Sequence, residues 1–408
     1  AYARLAGEGY LLTRGAAGTV VSPALRLPAT PPSPGPAEAS ARRPSPDQPL
    51  PFQMGLPALD RFPRTLWARL AARAARRLGG GLLSYPDVAG LPALREAVAG
   101  YLAVSRGVAC RPEQVIVTAG YQAALGMLAR LLLRPGDTVW FEEPGYFLAR
   151  RALQAAGARA LPVPVDGDGI EVERARSDAP GARLAVVTPT HQAPLGVALS
   201  LPRRQALLDW AAAADAWVLE DDYDSEFHYD GHKLPALKSL DVADRVIYAG
   251  SFSKTLYPGL RLGYLVLPVA LREAVTATLG DEQRGLPVLD QMVAADFMAE
   301  GHFARHLKRM RGLYAARRAA LAQALADRFG ARATIDPQAG GLHLIMRPAD
   351  GGRDGAMVRR AAAEGLAPAA LSGQYAGPAR RHGLLLGFTN IAEERAAEAA
   401  AALARALG

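Results

Sequence analysis

From residue 52 onward, short apolar runs alternate with amphipathic stretches, and that alternation leaves few folds open. The runs are "QVIVT" (114–118), "TVWFEE" (138–143), "LAVVTP" (184–189), "WVLEDD" (217–222), "RVIYAG" (245–250) and "LGYLVLP" (262–268). Between them, 119–133, 146–157, 202–214 and 270–279 carry the spacing of helices. Runs apolar almost throughout suit strands buried on both faces, and parallel strands need crossover segments long enough for a helix. The pattern therefore predicts an α/β fold with a mainly parallel sheet covered on both faces, over residues 52–290. Residues 291–408 are helix-rich, with "GGLHLIMRP" and "GLLLGFTN" as later strands, and predict a second, smaller α+β domain.

The chain before residue 52 reads differently. Residues 1–22 suit the end of a helix followed by a hairpin, "YLLTR" and "TVV" around the glycine-bearing turn "GAAG". A piece this short buries no core of its own, so it reads as the tail of a domain. Residues 23–51 form a proline-rich linker with no apolar period. As polyproline II it would span up to ~90 Å, at about 3.1 Å per residue.

Composition closes several alternatives. Cys110 is the one cysteine, which excludes an internal disulfide and a cysteine-rich metal site. No apolar run approaches the ~20 residues of a membrane span, and no signal peptide opens the sequence, so a cytoplasmic protein is expected. The net charge of +8 admits polyanion partners, but many arginines sit in alanine-rich helices such as "LWARLAARAARRL" and read as a solvated face. His302 and His306 stand four apart without a third ligand, so no metal is expected.

Ligands of open parallel sheets bind at the carboxyl ends of strands. Those ends read "AGYQ", "PGYF", "THQAPLG", "YDSEF" and "SFSK". They contain one amine nucleophile, Lys254, and an acid pair, Asp221 and Asp222. They also contain anion donors at Ser251, Ser253, Arg261 and the helix-opening loop Gly120–Gln122, with an aromatic plate at Tyr146. Pyridoxal 5′-phosphate (PLP) needs these groups together: a lysine for its aldehyde, a carboxylate for its ring nitrogen, hydroxyls and a guanidinium for its phosphate, and a stacking face. The stretch "AGSFSKTLYPGLRLGY" (249–264) would then hold both ends of one cofactor.

The pieces "YPDVAGLPALREAVAGYL", "VTAGYQAAL", "FEEPGYF", "TPTHQAPLG", "EDDYDSEF" and "SFSKTLYPGLRLGY" make residues 52–408 resemble the fold-type I PLP-dependent enzymes. Within them they resemble the aminotransferase-like domain of MocR-type transcriptional regulators. Residues 1–22 resemble the last helix and wing of a GntR-type winged helix-turn-helix. The resemblance implies a seven-stranded-type large domain and an aldimine on Lys254. It pairs Asp221 with the pyridine nitrogen, and brings Tyr223, on the same strand face, to the ring hydroxyl. It stacks Tyr146 on the ring and gives the phosphate to Gly120, Tyr121, Gln122, Ser251, Ser253 and Arg261. Tyr85 would reach the phosphate of a second subunit, which implies a homodimer with shared sites. His191 and Gln192 would line the effector or substrate pocket.

Three departures refine this. The winged helix begins inside its recognition helix, so DNA is an expected partner only with a complete winged helix. Ala193 stands where the regulators usually carry an aromatic residue. Leu385 stands where amino-acid aminotransferases keep an arginine for the substrate carboxylate. The expected function is a regulator that senses an amino compound or PLP itself through Lys254. The alternative is an aminotransferase acting on an amino acid or amine.

Overall fold

The computed structural model describes residues 2–25, 49–229 and 234–408, in two units, Ala1–Gln48 and Pro49–Gly408. In the first, a helix at Tyr2–Gly7 precedes an antiparallel hairpin of β1 (Leu11–Thr13) and β2 (Thr19–Val21), with Leu12 opposite Val20. Gly18 closes the turn at φ +86°, a conformation that side-chain-bearing residues avoid. None of these helix or strand residues is buried, so the piece has no core of its own. Most of the proline-rich linker expected at 23–51, residues 26–48, lies outside the described residues.

The second unit is built on an eight-stranded sheet. Its strands are β3 (Val115–Thr118), β4 (Thr138–Glu143), β5 (Arg159–Asp166), β6 (Gly169–Ile170), β7 (Leu184–Val187), β8 (Trp217–Asp222), β9 (Val246–Ser251) and β10 (Gly263–Val266), in the order β3-β10-β9-β8-β7-β4-β5-β6. Only β10 and the two-residue β6 run against their neighbours. Successive side chains on a strand point to opposite faces, and here both faces find apolar cover. Phe141, Leu219 and Ile247 join one buried cluster, with Leu125 and Leu128 of the helix Tyr121–Leu132. Their sequence neighbours Trp140, Val218 and Val246 join another, with Leu207 and Trp210 of the helix Leu201–Ala213.

A second sheet, β11 (Ala333–Asp336), β12 (His343–Pro348), β13 (Ala369–Ala370) and β14 (Leu384–Gly387), is antiparallel in the order β11-β12-β14-β13. The helix His302–Phe329 buries a stripe from Phe303 and Leu307 to Leu325 and Phe329, and so runs the length of a core that both sheets share.

The entry segment positions the site. Buried Phe52 bridges to Gly387 at the end of β14. The amide of Asn390 then donates to the Pro57 carbonyl at 2.9 Å, the Tyr314 hydroxyl accepts from the Ala58 N–H at 2.8 Å, and Arg317 pairs with Asp60 at 2.6 Å. Residues 52–60, grouped by sequence with the large domain, are thus hydrogen-bonded to the C-terminal sheet and its helix. They carry Gly55 past Lys254. Among the described residues, no helix is long and apolar enough to cross a membrane.

Candidate functional site

Strand β9 closes into a one-turn helix, Phe252–Thr255, whose start the Ser251 hydroxyl caps by accepting from the Ser253 N–H at 3.1 Å. Lys254 rides on this turn. Its Nζ donates to the Gly55 carbonyl at 2.6 Å. Burial lowers the pKa of the amine, while Asp224 and then Asp221 pull it back up. Behind the turn, the buried His306 ring contacts the Thr255 carbonyl through Nε2 at 3.0 Å. Burial pushes that histidine down to about 4, so it is neutral near pH 7.

On β8 the acids alternate. Asp222 accepts from Arg106 Nε at 2.7 Å and from the Tyr248 hydroxyl at 2.6 Å, in a pair almost wholly withdrawn from water. Glu220, on the same face, accepts the N–H groups of Leu237 and Lys238. Asp221 faces the other way. Burial, reinforced by Asp222, Asp224 and Glu142, raises its carboxyl to about 8, although the nearby Tyr121 hydroxyl pulls down. Tyr223 departs from expectation in its placement. The strand ends at Asp222, so Tyr223 sits in the following turn rather than on the strand face of Asp221, and its hydroxyl lies 3.0 Å from His191 Nδ1.

The loop after β3 is an anion cradle in outline. Gly120 takes φ +93° at the start of the helix Tyr121–Leu132, whose first N–H groups have no carbonyl a turn earlier to bond. Arg261 adopts the left-handed region at φ 52°, a strained choice for a non-glycine residue, and its Nη2 donates to the Ala119 carbonyl at 3.1 Å. A Cβ on Gly120 would stand 3.3 Å from that guanidinium. Gly120→Ala is therefore expected to cost about 1–2 kcal/mol in denaturant unfolding. Because it displaces Arg261, it is also expected to weaken anion binding about tenfold in a phosphate or PLP titration.

The remaining sequence candidates separate. Tyr146 caps the helix Phe147–Ala155 half-buried, its ring 6.5 Å from that of Tyr121, with the Gln122 side chain acting on its hydroxyl. Ser253 lies within the Lys254 turn and Gln122 in the first turn of the helix Tyr121–Leu132. Gln192 is buried with its amide taken up by the chain. Nε2 donates to Glu142, Pro144 and Ala193, and Oε1 accepts from Leu195. Glu142, which also receives both Thr188 donors, is raised to about 7 by its burial. Tyr85 is 76% exposed, with Arg284 over its ring. Leu385 is buried among Val165, Leu195, Ile345, Leu371 and Tyr375. Sequence reading missed the Gly55 carbonyl at the Lys254 amine and the contact of His306 with the Thr255 carbonyl, because both come from elements far along the chain. It also missed Glu142, whose only signal was the repeated acid in "FEEPGYF".

These groups suit PLP. Burial keeps Asp221 protonated up to about pH 8, and a protonated ring nitrogen beside it would favour its carboxylate. The helix start at Gly120, with Arg261 and the Ser251–Ser253 turn, suits a phosphate dianion. Thr118 Oγ1 is buried without a hydrogen-bond partner, and the buried Tyr121 hydroxyl stands beside Asp221; buried polar groups set in this way suit a polar ligand. The amine of Lys254 is buried and made less basic, as an aldehyde-condensing lysine needs.

Comparison with known proteins agrees. The family described as "Aminotransferase class I and II" matches residues 58–361. The probable rhizopine catabolism regulatory protein MocR of Rhizobium meliloti is 41% identical over 340 residues, covering 83% of this chain and 69% of that protein. The HTH-type pyridoxine biosynthesis transcriptional regulator PdxR of Corynebacterium glutamicum is 34% identical over 400 residues, covering 97% and 83%. The crystal structure of LysN, an α-aminoadipate aminotransferase of Thermus thermophilus complexed with N-(5′-phosphopyridoxyl)-L-leucine, superposes with a TM-score of 0.79 at 32% identity, covering 88% and 92%.

Proposed function

Because the chain belongs to the aminotransferase class I and II family, and within it to the MocR-type regulators, we propose that it is a transcriptional regulator whose PLP-binding unit senses a small amine, an amino acid or PLP itself. Its cofactor is pyridoxal 5′-phosphate. When bound, that group supplies an aldehyde with which primary amines condense and a ring that withdraws electrons.

The chain's own residues do the rest. Lys254 offers a buried, less basic amine to the aldehyde, and Gly55 holds that amine in place through its carbonyl. Asp221 keeps the ring nitrogen protonated. Tyr146 covers one ring face, and Tyr223 directs its hydroxyl at the ring oxygen. Gly120, Tyr121, Gln122, Ser251, Ser253 and Arg261 receive the phosphate. The exposure of Tyr85 supports a homodimer in which this side chain enters the second copy's site. His191 stands behind Tyr223 at the edge of the effector pocket. Gln192, its amide committed to Glu142 and its own loop, shapes that pocket from behind.

The observation that carries sensing over turnover is Leu385. The place expected to hold a carboxylate-gripping arginine is instead part of a closed apolar cluster. Without that fork, an ordinary amino acid is held less firmly for chemistry. The test is a binding titration of the full gene product against DNA upstream of its own gene, with PLP, with PLP plus an amine panel, and without either. Affinity that changes between these states supports the reading, and no DNA affinity in any of them removes it. The second reading, an aminotransferase, is favoured by the completeness of the cofactor-binding set. Conversion of bound PLP to its pyridoxamine form at catalytic rates by one amino acid would establish it.

A further inference from the structure

His191 is 7% exposed and Asp224 1% exposed. His191 Nδ1 has two neighbours, the Tyr223 hydroxyl at 3.0 Å and Asp224 Oδ2 at 3.2 Å. Its Nε2, by contrast, is buried with no partner, and neither oxygen of Asp224 has a hydrogen bond of good geometry. The ring has no room to move. A Cβ on Gly341 would overlap it, and one on Gly196 would stand 3.0 Å from Nε2.

A neutral imidazole carries one N–H. On Nε2 that proton would be a buried donor without an acceptor, and the Nδ1 lone pair would face the Asp224 carboxylate. On Nδ1 it points to the Tyr223 oxygen and lies beside the carboxylate. Charge and hydrogen bonding both select the second tautomer. A tyrosine oxygen that accepts from His191 keeps its own proton to donate. Burial, with Asp224 close by, raises the pKa of that hydroxyl, but neither oxygen of Asp224 takes the proton in a hydrogen bond of good geometry.

We propose that His191, carrying its proton on Nδ1 and backed by Asp224, is a positioning residue that turns the Tyr223 hydroxyl into a hydrogen-bond donor toward the ring oxygen of the cofactor held at Lys254. The proposal rests on the PLP reading above. Ala193, with only a methyl group in the same loop, offers that oxygen no side-chain donor, so the setting of Tyr223 matters more. The other titratable groups facing this cluster include Asp221 and Glu142 on the sheet, Lys254 on its turn, His343 on β12, and Tyr229, whose hydroxyl donates to the Gly341 carbonyl. The His343 ring is 6.2 Å from that of His191, and its Nε2 contacts the Pro194 carbonyl at 2.9 Å.

A donor at the ring oxygen stabilises its anionic form and so weakens the hold of the neighbouring nitrogen on its proton. The midpoint of the cofactor's colour change with pH is thereby kept low, and loss of the donor raises it. The test is a set of visible-absorbance pH titrations of PLP-loaded wild type, Tyr223→Phe, His191→Gln, His191→Asn and the Tyr223→Phe/His191→Gln double variant. Tyr223→Phe is expected to raise the midpoint by about one pH unit, an ordinary size for one lost hydrogen bond to a charged atom. His191→Gln, which leaves no donor at the Nδ1 position, moves it part of the way. His191→Asn, whose amide N–H can stand at that position, stays near wild type. The double variant matches Tyr223→Phe alone.

A His191→Gln midpoint equal to wild type overturns the proposal. So does a shift that adds in full to that of Tyr223→Phe, or an Asn variant displaced as far as the Gln variant. Should the Gln variant fail to take up PLP, His191→Phe carries the same expectation. A wild type with no visible band removes the cofactor reading and this inference together, whereas a band that titrates alike in every variant removes this inference alone.

Discussion

Lys254→Ala is expected to leave the protein colourless once loosely bound PLP has been dialysed away, and borohydride is expected to fix no cofactor mass on the peptide spanning 249–264. Among the described residues the Lys254 side chain is the amine nucleophile that the strand ends present, and the turn that holds it is fastened from three sides. The Ser251 cap fixes its start, His306 holds the Thr255 carbonyl, and the Gly55 carbonyl receives the amine itself. Lys238 is no substitute, because its Nζ is engaged by Asp244 at 2.8 Å and Asp241 at 3.2 Å. The phosphate cradle and Asp221 survive the substitution, so PLP still binds, but about a hundredfold or more weaker, a loss of roughly 3 kcal/mol. Absorbance, mass spectrometry after reduction and equilibrium dialysis read the three effects. An undiminished visible band in the variant would contradict the assignment of Lys254.

Asp221→Asn is expected to act in opposite directions on the empty and loaded protein. An unfolded aspartate ionises near 3.9, whereas Asp221 in the fold holds its proton to about 8. A carboxyl raised in this way costs nothing below the unfolded value. It opposes folding increasingly as pH climbs toward the folded one, by up to about 1.4 kcal/mol per pH unit. Below about pH 6.5 the buried His306 and His343, both pushed down to about 4, give the contrary slope. Glu142 and Glu220, raised to about 7, add to the loss. Between pH 7 and 8 Asp221 stands out. The cofactor-free wild type should melt lower at pH 8 than at pH 7, and the asparagine variant should lose much of that difference. PLP brings a cation to the carboxylate, so its stabilisation of the wild type should grow across the same interval. In the variant it should be smaller and nearly flat. Thermal melts at the two pH values, with and without PLP, decide this. A variant whose slope matches the wild type in both states would mean that Asp221 does not meet the ring nitrogen.

Much of the architecture was legible because burial on both faces writes itself as uninterrupted apolar runs. "TVWFEE" and "WVLEDD" become strands over the residues read from sequence, with Trp140 and Phe141 dividing between the two faces as their alternation requires. The positions of Lys254, Asp221, Gly120 and Arg261 at or beside strand ends were legible because the apolar runs mark where each strand stops. What escaped depends on contacts that no local pattern encodes. Asp221 and Asp222 are identical side by side, and only the fold shows Arg106 and Tyr248 claiming the second while burial raises the first. Tyr223 was placed on a strand that ends one residue earlier, since a run of polar residues does not mark where pairing stops. Gln192 looked like a pocket residue by position, yet its amide is absorbed by Glu142 and its own loop.

The bridge between Phe52 and Gly387 has a mechanical consequence. It moors the incoming chain to the end of β14 in the four-stranded sheet rather than to the eight-stranded one that holds Lys254. Whatever displaces the smaller sheet therefore displaces residues 52–60 with it, since the same segment is bonded to Asn390, Tyr314 and Arg317.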